Sequence, residues 1–176
     1  QAYSEVKSNV SNAIRKLSPG SKGYWVGVLD QLNYLRQASG IAKVQAAIQW
    51  AKDFLEENPS KLTVYAHHKQ VIKSLSGALS SYGVETIVGD TPLSKRQQIV
   101  ERFQIEDVPR VLIISSAGGI GIDLFGRGQD CSHLLVAELE WRPSDLDQTA
   151  GRLHRMGQEL PVSVWILEAK GTLDCY

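Results

Sequence analysis

The stretch Arg110-Val-Leu-Ile-Ile-Ser115-Ser-Ala-Gly-Gly-Ile-Gly121-Ile-Asp123-Leu124 decides the fold class of this chain. Its first half is a short apolar run rich in β-branched residues, as in a strand buried on both faces of a sheet. Its second half is a glycine cluster, which lets backbone amides approach an anion closely. The third glycine of a dinucleotide fingerprint is missing, because position 124 is leucine, and no G-x-x-x-x-G-K-[S/T] loop exists in the chain. The stretch therefore predicts a parallel strand that ends in a tight turn beside a ligand cleft.

Strands and helices alternate on both sides of this run. The predicted strands lie near 62–66, 84–88, 110–115, 133–138 and 161–167. The predicted helices between and after them lie near 68–81, 93–104 and 144–156. Alternation at this interval predicts an α/β fold, with a parallel sheet covered by helices on both faces.

Helical periodicity precedes the alternating region. It predicts three helices, over 2–16, 24–38 and 41–57. We therefore divide the chain into a helical N-terminal extension, residues 1–40, that packs on the core, and an α/β domain, residues 41–176.

The predicted helix over 144–156 carries charge on one side. At about 100° per residue, one face is apolar and can be buried. The opposite face presents two guanidiniums and an amide, from Gln148, Arg152 and Arg155. Arginine forks suit phosphate oxygens, because they are planar and permanently charged. A solvated basic face of an amphipathic helix would have the same pattern.

Both ends of this helix carry boundary signals. Ser144 is a candidate N-cap, with Asp147 as the acidic half of a capping box. Gly157 is a natural stop at the other end.

Composition limits the class of protein. A chain of 176 residues that is 43% hydrophobic and 22% charged suits a globular domain with a real core. Because the net charge is zero, any contact with nucleic acid must come from a local patch. The chain has no signal peptide and no apolar run of transmembrane length, so we expect an intracellular protein and no membrane partner. Cys131-x-His133 lacks two further ligands at suitable spacing, so we expect no metal site.

Together the blocks resemble the second RecA-like lobe of superfamily 2 helicases. Residues 115–124 are similar to motif V, and residues 148–158 are similar to motif VI. The ending His154-Arg-Met-Gly-Gln158 is typical of Swi/Snf-type DNA translocases. Residues 62–68 resemble motif IV, and the block that follows matches at Gly89-Asp-Thr91, Arg96 and Phe103.

Two details are similar to the annealing-helicase branch, which rewinds or remodels forked DNA. They are Ala66-His67-His68 and Ala137-Glu138-Leu-Glu-Trp141-x-Pro143. The chain also departs from the Swi/Snf pattern: Arg142 stands where asparagine is usual, and Gly151 gives the Gln-x-x-Gly-Arg-x-x-Arg form of the wider superfamily.

The resemblance implies roles in ATP hydrolysis. Arg155 would be the arginine finger, with Arg152 as its partner and Gln148 near the nucleotide or the attacking water. Gly121 and Asp123 would line the nucleotide edge of the cleft. ATP and Mg²⁺ would be bound mainly by a first RecA-like lobe, which carries the Walker A lysine and the acidic box that this chain lacks. We therefore expect the chain to be the second lobe alone, and inactive by itself.

The resemblance also implies a DNA-binding surface for double-stranded or forked DNA. Thr91, together with Ser115 or Ser116, would hold a phosphate through hydroxyl and backbone N–H groups. His67 and His68 follow a strand end, where α/β sheets bind ligands, although a polar pair at a helix start fits equally well. Two lysines on the following helix could touch the backbone or simply be solvated; they are Lys69 and Lys73. Trp141 is expected to be a packing anchor rather than a base-stacking platform.

Three functions remain open at the level of the sequence. The first is the C-terminal motor lobe of an ATP-dependent double-stranded DNA translocase, in the nucleus of a eukaryote or the cytoplasm of a prokaryote. The second is the lobe of a strand-separating DNA or RNA helicase, which Gly151 favours. The third is a RecA-like interaction module without catalysis.

Overall fold

The computed structural model describes residues 2–21, 23–140 and 143–175 and contains a five-stranded parallel sheet. The strands are β1 (Leu62–Tyr65), β2 (Val84–Ile87), β3 (Val111–Ile114), β4 (His133–Val136) and β5 (Ser163–Ile166). Their order is β2-β3-β1-β4-β5, and every neighbouring pair is parallel. The parallel α/β sheet predicted from the alternating pattern is confirmed, and it is the RecA-like fold that the resemblance implies.

The described part of the chain contains six α-helices. They are α1 (Ala2–Arg15), α2 (Tyr24–Glu57), α3 (Lys69–Ala78), α4 (Leu93–Ile105), α5 (Ser116–Gly119) and α6 (Pro143–Leu153). Two short 3₁₀ turns span Ser80–Tyr82 and Leu173–Cys175. The single-turn helix α5 lies within the glycine cluster and was not predicted from the sequence.

The prediction of two helices over 24–38 and 41–57 is wrong, because α2 runs without a break through Ser39 and Gly40. Both residues weaken an isolated helix. In the folded chain both are buried, and the Ser39 hydroxyl is hydrogen bonded to Thr172 Oγ1 at 3.1 Å. Packing and a satisfied polar group therefore outweigh the low local propensity.

The predicted caps of α6 are also wrong. The helix begins at Pro143, so Ser144 lies inside its first turn rather than at its N-cap. Proline suits the first helical position, because its φ is already helical and its missing N–H needs no partner. Trp141, the expected packing anchor, lies outside the described residues.

The other end of α6 comes earlier than predicted. The helix ends at Leu153, and Gly157, with φ of +102°, belongs to the turn that follows. The Arg152 carbonyl accepts a hydrogen bond from the Leu124 N–H at 2.7 Å, and a bond to this different part of the chain competes with the bond that would continue the helix. A loop contact therefore decides where the helix stops.

Both faces of the three inner strands β3, β1 and β4 are buried, as predicted, whereas Val164 and Ile166 of the edge strand β5 are exposed. One face carries Leu62, Val64, Val111 and Ile113 and packs against α2 and α3. The other face carries residues such as Leu112 and Ile114 and packs against α4 and α6. Phe103 of α4 and Leu153 of α6 are fully buried there. The apolar run after Arg110 is thus covered on both sides, which explains why it shows no alternation.

The chain forms two compact units, Gln1–Lys43 with Glu168–Tyr176, and Val44–Leu167. Within the first unit, Lys43 Nζ lies 2.7 Å from Asp174 Oδ2, and both side chains are buried. The second unit contains the whole sheet. The division at residue 40 stays a prediction. None of the described helices combines the length and the apolar character needed to cross a membrane.

Candidate functional site

The residues singled out from the sequence gather at one edge of the sheet. Since all five strands are parallel, the segments that follow them leave at the same edge, where α/β proteins bind ligands. The segments after β2, β3, β1 and β4 are neighbours there. They carry the predicted residues Thr91, Ser115, Ser116, Gly121, Asp123, His67 and His68.

Arg152 and Arg155 lie together beside the glycine segment. A methyl group placed on Gly119 would be 3.5 Å from Arg152 Nε, so the arginine side chain crosses the glycine backbone. Partial burial and the positive charge of Arg155 lower the pKa of Arg152, while Asp123 acts in the opposite direction. Among the described residues, no side chain or carbonyl accepts a hydrogen bond from the Arg152 guanidinium. Two cations are therefore held close together, and the N–H donors of the Arg152 guanidinium are available to an anion.

The sequence predicted that Arg152 and Arg155 share one helical face. This prediction is wrong, because α6 ends at Leu153, before Arg155. The turn after the helix instead places Arg155 Nε 3.0 Å from Asp123 Oδ1. Both side chains are about half exposed, so this ion pair adds little stability. Gln148 is exposed on α6, four residues before Arg152 and on the same face.

The glycine segment is fixed by very close backbone packing. A methyl group on Gly118 would lie 2.1 Å from the carbonyl oxygen of Ile87, which leaves room for glycine alone. Ser115 caps α5, because its hydroxyl accepts the Gly118 N–H at 3.2 Å. Ser115 is buried, whereas Ser116 is exposed.

Arg96 joins two of the edge segments, a role that sequence reasoning missed. This buried α4 side chain donates hydrogen bonds at 2.8–3.4 Å to the carbonyls of Val88, Gly89, Thr91, Ala117 and Gly118. These carbonyls belong to the segments after β2 and β3. The pattern of the sequence placed Arg96 in a helix but held no signal for its partners.

Thr91 uses its hydroxyl within its own turn. Thr91 Oγ1 accepts the Val88 N–H at 3.0 Å, and the Thr91 N–H returns a bond to the Val88 carbonyl. Thr91 remains half-buried at the edge. Of the three predicted hydroxyl residues, Ser116 is thus the exposed one whose hydroxyl has no protein partner in the described part of the chain.

His67 and His68 are tied to the end of β4 by a buried carboxylate. Glu138 is 2% exposed, and its Oε2 accepts the N–H groups of His67 at 2.8 Å and of His68 at 2.9 Å. Its Oε1 lies 2.6 Å from His68 Nδ1. Burial alone would raise the pKa of Glu138, but the hydrogen bonds from His68 and His67 and the charge of His68 hold it below the usual range. Sequence reasoning had given Glu138 no role.

A cleft of about 380 Å³ opens between α4 and the loop after β3. Gly121 and Asp123, the predicted nucleotide-edge residues, are on its wall, together with Glu101 and Arg127. Asp123 therefore lies between this cleft and Arg155.

The remaining candidates have ordinary surroundings. Lys69 Nζ lies 3.4 Å from Asp90 Oδ2, and both side chains are almost fully exposed, as on a solvated face. Burial raises the pKa of the Cys131 thiol to about 12. His133 pairs with Asp130 at 3.2 Å. In the described ranges, no three histidine, cysteine or acidic residues are grouped as metal ligands would be.

The family model for the helicase conserved C-terminal domain matches residues 42–157. The chain is 30% identical over 98% of its length to SWI/SNF-related matrix-associated actin-dependent regulator of chromatin subfamily A-like protein 1 of Xenopus tropicalis, and covers 18% of that protein. It is also 30% identical over 98% of its length to DNA annealing helicase and endonuclease ZRANB3 of Mus musculus, and covers 16% of it. The chain thus spans less than a fifth of the length of these relatives.

The fold agrees with these matches. The Sulfolobus solfataricus SWI2/SNF2 ATPase core, solved in complex with dsDNA, superposes with a TM-score of 0.77 at 20% identity; the match covers 98% of this chain and 38% of that one. At this identity the likeness shows the fold alone, while the family model covers about two thirds of the chain. The chain therefore belongs to the helicase conserved C-terminal domain family, as the C-terminal lobe of a Swi/Snf-type helicase.

Proposed function

We propose that this chain is the C-terminal motor lobe of an ATP-dependent translocase on double-stranded DNA. Arg155 is the arginine finger and Arg152 its partner, and they act on ATP and Mg²⁺ held by a first RecA-like lobe. Gln148 is near the nucleotide or the attacking water, and Gly121 and Asp123 line the nucleotide edge. The resulting protein is a DNA-stimulated ATPase, nuclear in a eukaryote and cytoplasmic in a prokaryote.

The single observation that carries this proposal is the pairing of Arg152 with Arg155. Two guanidiniums close together repel each other, and the lowered pKa of Arg152 reflects both its burial and that repulsion. Asp123 offsets only part of this repulsion, so the arrangement contributes little to a stable fold. A γ-phosphate that develops charge as its bond breaks would compensate both cations, as arginine fingers do in phosphoryl transfer.

The DNA-binding part of the proposal uses the same sheet edge. Ser116, exposed at the start of α5, donates its hydroxyl to a phosphate, while Thr91 and Ser115 shape the backbone around it. His67 and His68 extend the surface to the segment after β1. Such contacts read the backbone rather than the bases, so binding falls with salt and is independent of sequence.

Arg155→Ala in the full-length protein tests the proposal. We expect DNA-stimulated ATP hydrolysis to fall by about three orders of magnitude or more, with duplex binding unchanged. Arg102→Ala is the matched control, because Arg102 is a half-exposed arginine of α4 that pairs with Glu85 and Glu106 at the surface. Unchanged hydrolysis in the Arg155 variant would remove the finger assignment.

A strand-separating helicase is the second candidate, and Gly151 favours it. This glycine belongs to α6, and a methyl group there would meet nothing within 4 Å, so packing does not require it. Since packing does not explain Gly151, we take it as the glycine of the Gln-x-x-Gly-Arg-x-x-Arg motif, which is the form of the wider helicase superfamily. Hydrolysis by the full-length protein with single-stranded DNA, duplex DNA, forked DNA and RNA separates the candidates.

Stimulation by duplex supports a translocase, and a preference for forks supports the annealing branch suggested by the mouse relative's name. Stimulation by single strands or RNA alone supports a strand-separating helicase. The absence of hydrolysis under all of these conditions would support the third function, a RecA-like interaction module without catalysis.

A further inference from the structure

Glu138 is a buried carboxylate that the proposed motor leaves without a role. It stands just beyond β4, and only 2% of its surface is exposed. Burying a charge is costly unless hydrogen bonds compensate it. Its three hydrogen-bond partners are the N–H groups of His67 and His68 and the Nδ1 of His68, in the segment after β1. The carboxylate therefore acts on one short segment of the sheet edge.

The contacts of Glu138 define which ring nitrogen of His68 carries a proton. An ionised carboxylate only accepts hydrogen bonds. Glu138 Oε1 lies 2.6 Å from His68 Nδ1, so Nδ1 is the donor and bears the hydrogen. The other nitrogen, Nε2, has no partner among the described residues. Because a carboxylate behind one ring nitrogen fixes the tautomer and orientation of a histidine, the opposite nitrogen is directed to a ligand.

We propose that Glu138 is a positioning residue that holds His68 with Nε2 facing a DNA phosphate at the carboxyl edge of the sheet. With hydrogen on both ring nitrogens, Nε2–H donates to a phosphate oxygen while Nδ1–H stays on Glu138. The imidazolium then lies between two anions, which makes the hydrogen bond charge-assisted. The inference rests on the proposed DNA-binding function of this edge. It adds Glu138 as the residue that orients His68 toward the phosphate.

His67 provides an internal comparison. Its Nδ1 lies 3.5 Å from Glu140 Oε1, a longer separation than the 2.6 Å of the His68 pair. Its side chain is 38% exposed, whereas that of His68 is 16% exposed. The contact of His67 with Glu140 is thus longer and more exposed than that of His68 with Glu138, and Glu140 serves as the matched control for Glu138.

The test uses the 176-residue chain, a short blunt duplex and low salt. Nitrogen-15 NMR of the histidine rings reports the tautomer, and fluorescence anisotropy reports duplex affinity. We expect the wild-type His68 ring to be protonated on Nδ1, and Glu138→Gln to abolish that preference. His68→Gln should weaken duplex binding about three- to tenfold, as expected for one lost charge-assisted contact. Glu140→Gln should change neither the His68 tautomer nor the affinity by more than about twofold.

A double-mutant cycle separates positioning from general structural support. If Glu138 acts through His68, Glu138→Gln weakens binding in the wild type but adds nothing in the His68→Gln background. If the losses of duplex affinity in the two single variants multiply in the double variant, the two residues act independently and the inference is overturned. If Glu138→Gln does not fold, Glu138→Asp keeps the charge, shortens the reach, and should likewise lose the Nδ1 preference.

Two results distinguish this inference from the proposed function. Unchanged duplex affinity in His68→Gln, or a wild-type His68 protonated on Nε2 alone, overturns the inference and leaves the translocase standing. Failure of the wild-type chain to bind duplex at low salt overturns the proposed DNA surface and the inference with it.

Discussion

At the scale of single residues, glycine acts here through contact as well as through conformation. Gly118 has an ordinary backbone φ, yet a methyl group on it would overlap the Ile87 carbonyl at 2.1 Å. No side chain can shift to relieve that contact, because the obstacle is backbone of β2. The glycine therefore allows the segment after β3 to lie directly on the neighbouring strand.

Gly118→Ala should lower the free energy of unfolding by about 2–4 kcal/mol, since backbone must move to admit the methyl group. Gly77→Ala is the matched control: Gly77 is in α3, and a methyl group there meets nothing within 4 Å. It should raise stability by about 0.5–1 kcal/mol through helix propensity. Urea denaturation of both variants measures the difference, and equal effects would refute the close-packing explanation.

At the scale of elements, Arg96 makes α4 the support of the site. Its guanidinium donates to backbone carbonyls from two different edge segments. Only the planar, five-donor guanidinium can reach so many acceptors at once. The positions of Thr91 and the glycine segment are thus set by a residue from a third element.

Arg96→Lys should cost about 2–4 kcal/mol of stability, because an ammonium group has three donors and leaves buried carbonyls unsatisfied. Arg102→Lys, on the same helix but half exposed, should change stability by less than about 0.5 kcal/mol. Thermal or urea unfolding of the two variants checks this. A mild effect at position 96 would mean that water replaces the guanidinium without difficulty.

The elements themselves were predicted well where the pattern was local and poorly where it depended on contacts. All five strands and α4 were placed within two residues, because buried parallel strands read as apolar runs. The continuity of α2 through Ser39 depends on a hydrogen bond with Thr172, and the early end of α6 depends on a hydrogen bond from Leu124. Residue patterns along the chain carry no trace of such partners.

At the scale of the whole molecule, the proposed function makes the site one half of a cleft. The sheet edge offers cations and a hydroxyl, while the chain contains no Walker A loop to hold a nucleotide. Arginine fingers accelerate hydrolysis only when the phosphates are already positioned by other groups. The proposal therefore requires a partner lobe.

The purified 176-residue chain should show no ATP hydrolysis above background, and should bind duplex DNA weakly. Its affinity should fall with salt with a log–log slope of only a few, since one lobe contacts few phosphates. A phosphate-release assay and a salt titration measure both quantities. Hydrolysis that disappears in Arg155→Ala would contradict the requirement for a first lobe, whereas hydrolysis that persists in the variant would come from a contaminant.

The sequence by itself determined the parallel α/β fold, the buried faces of the strands and the family, because these depend on hydrophobic patterns and on motifs read along the chain. It also brought forward Arg152, Arg155 and Asp123 as a group. Only the tertiary structure decided that Arg155 approaches Asp123 from beyond the helix, and that Arg96 and Glu138 fix the edge segments. The physical reason is that Arg96 and Glu138 bond to backbone groups of other segments, and the bonds of Arg96 to Ala117 and Gly118 and of Glu138 to His67 and His68 span 21 to 71 positions. Every residue carries the same backbone groups, so side-chain identity does not reveal which of them will meet.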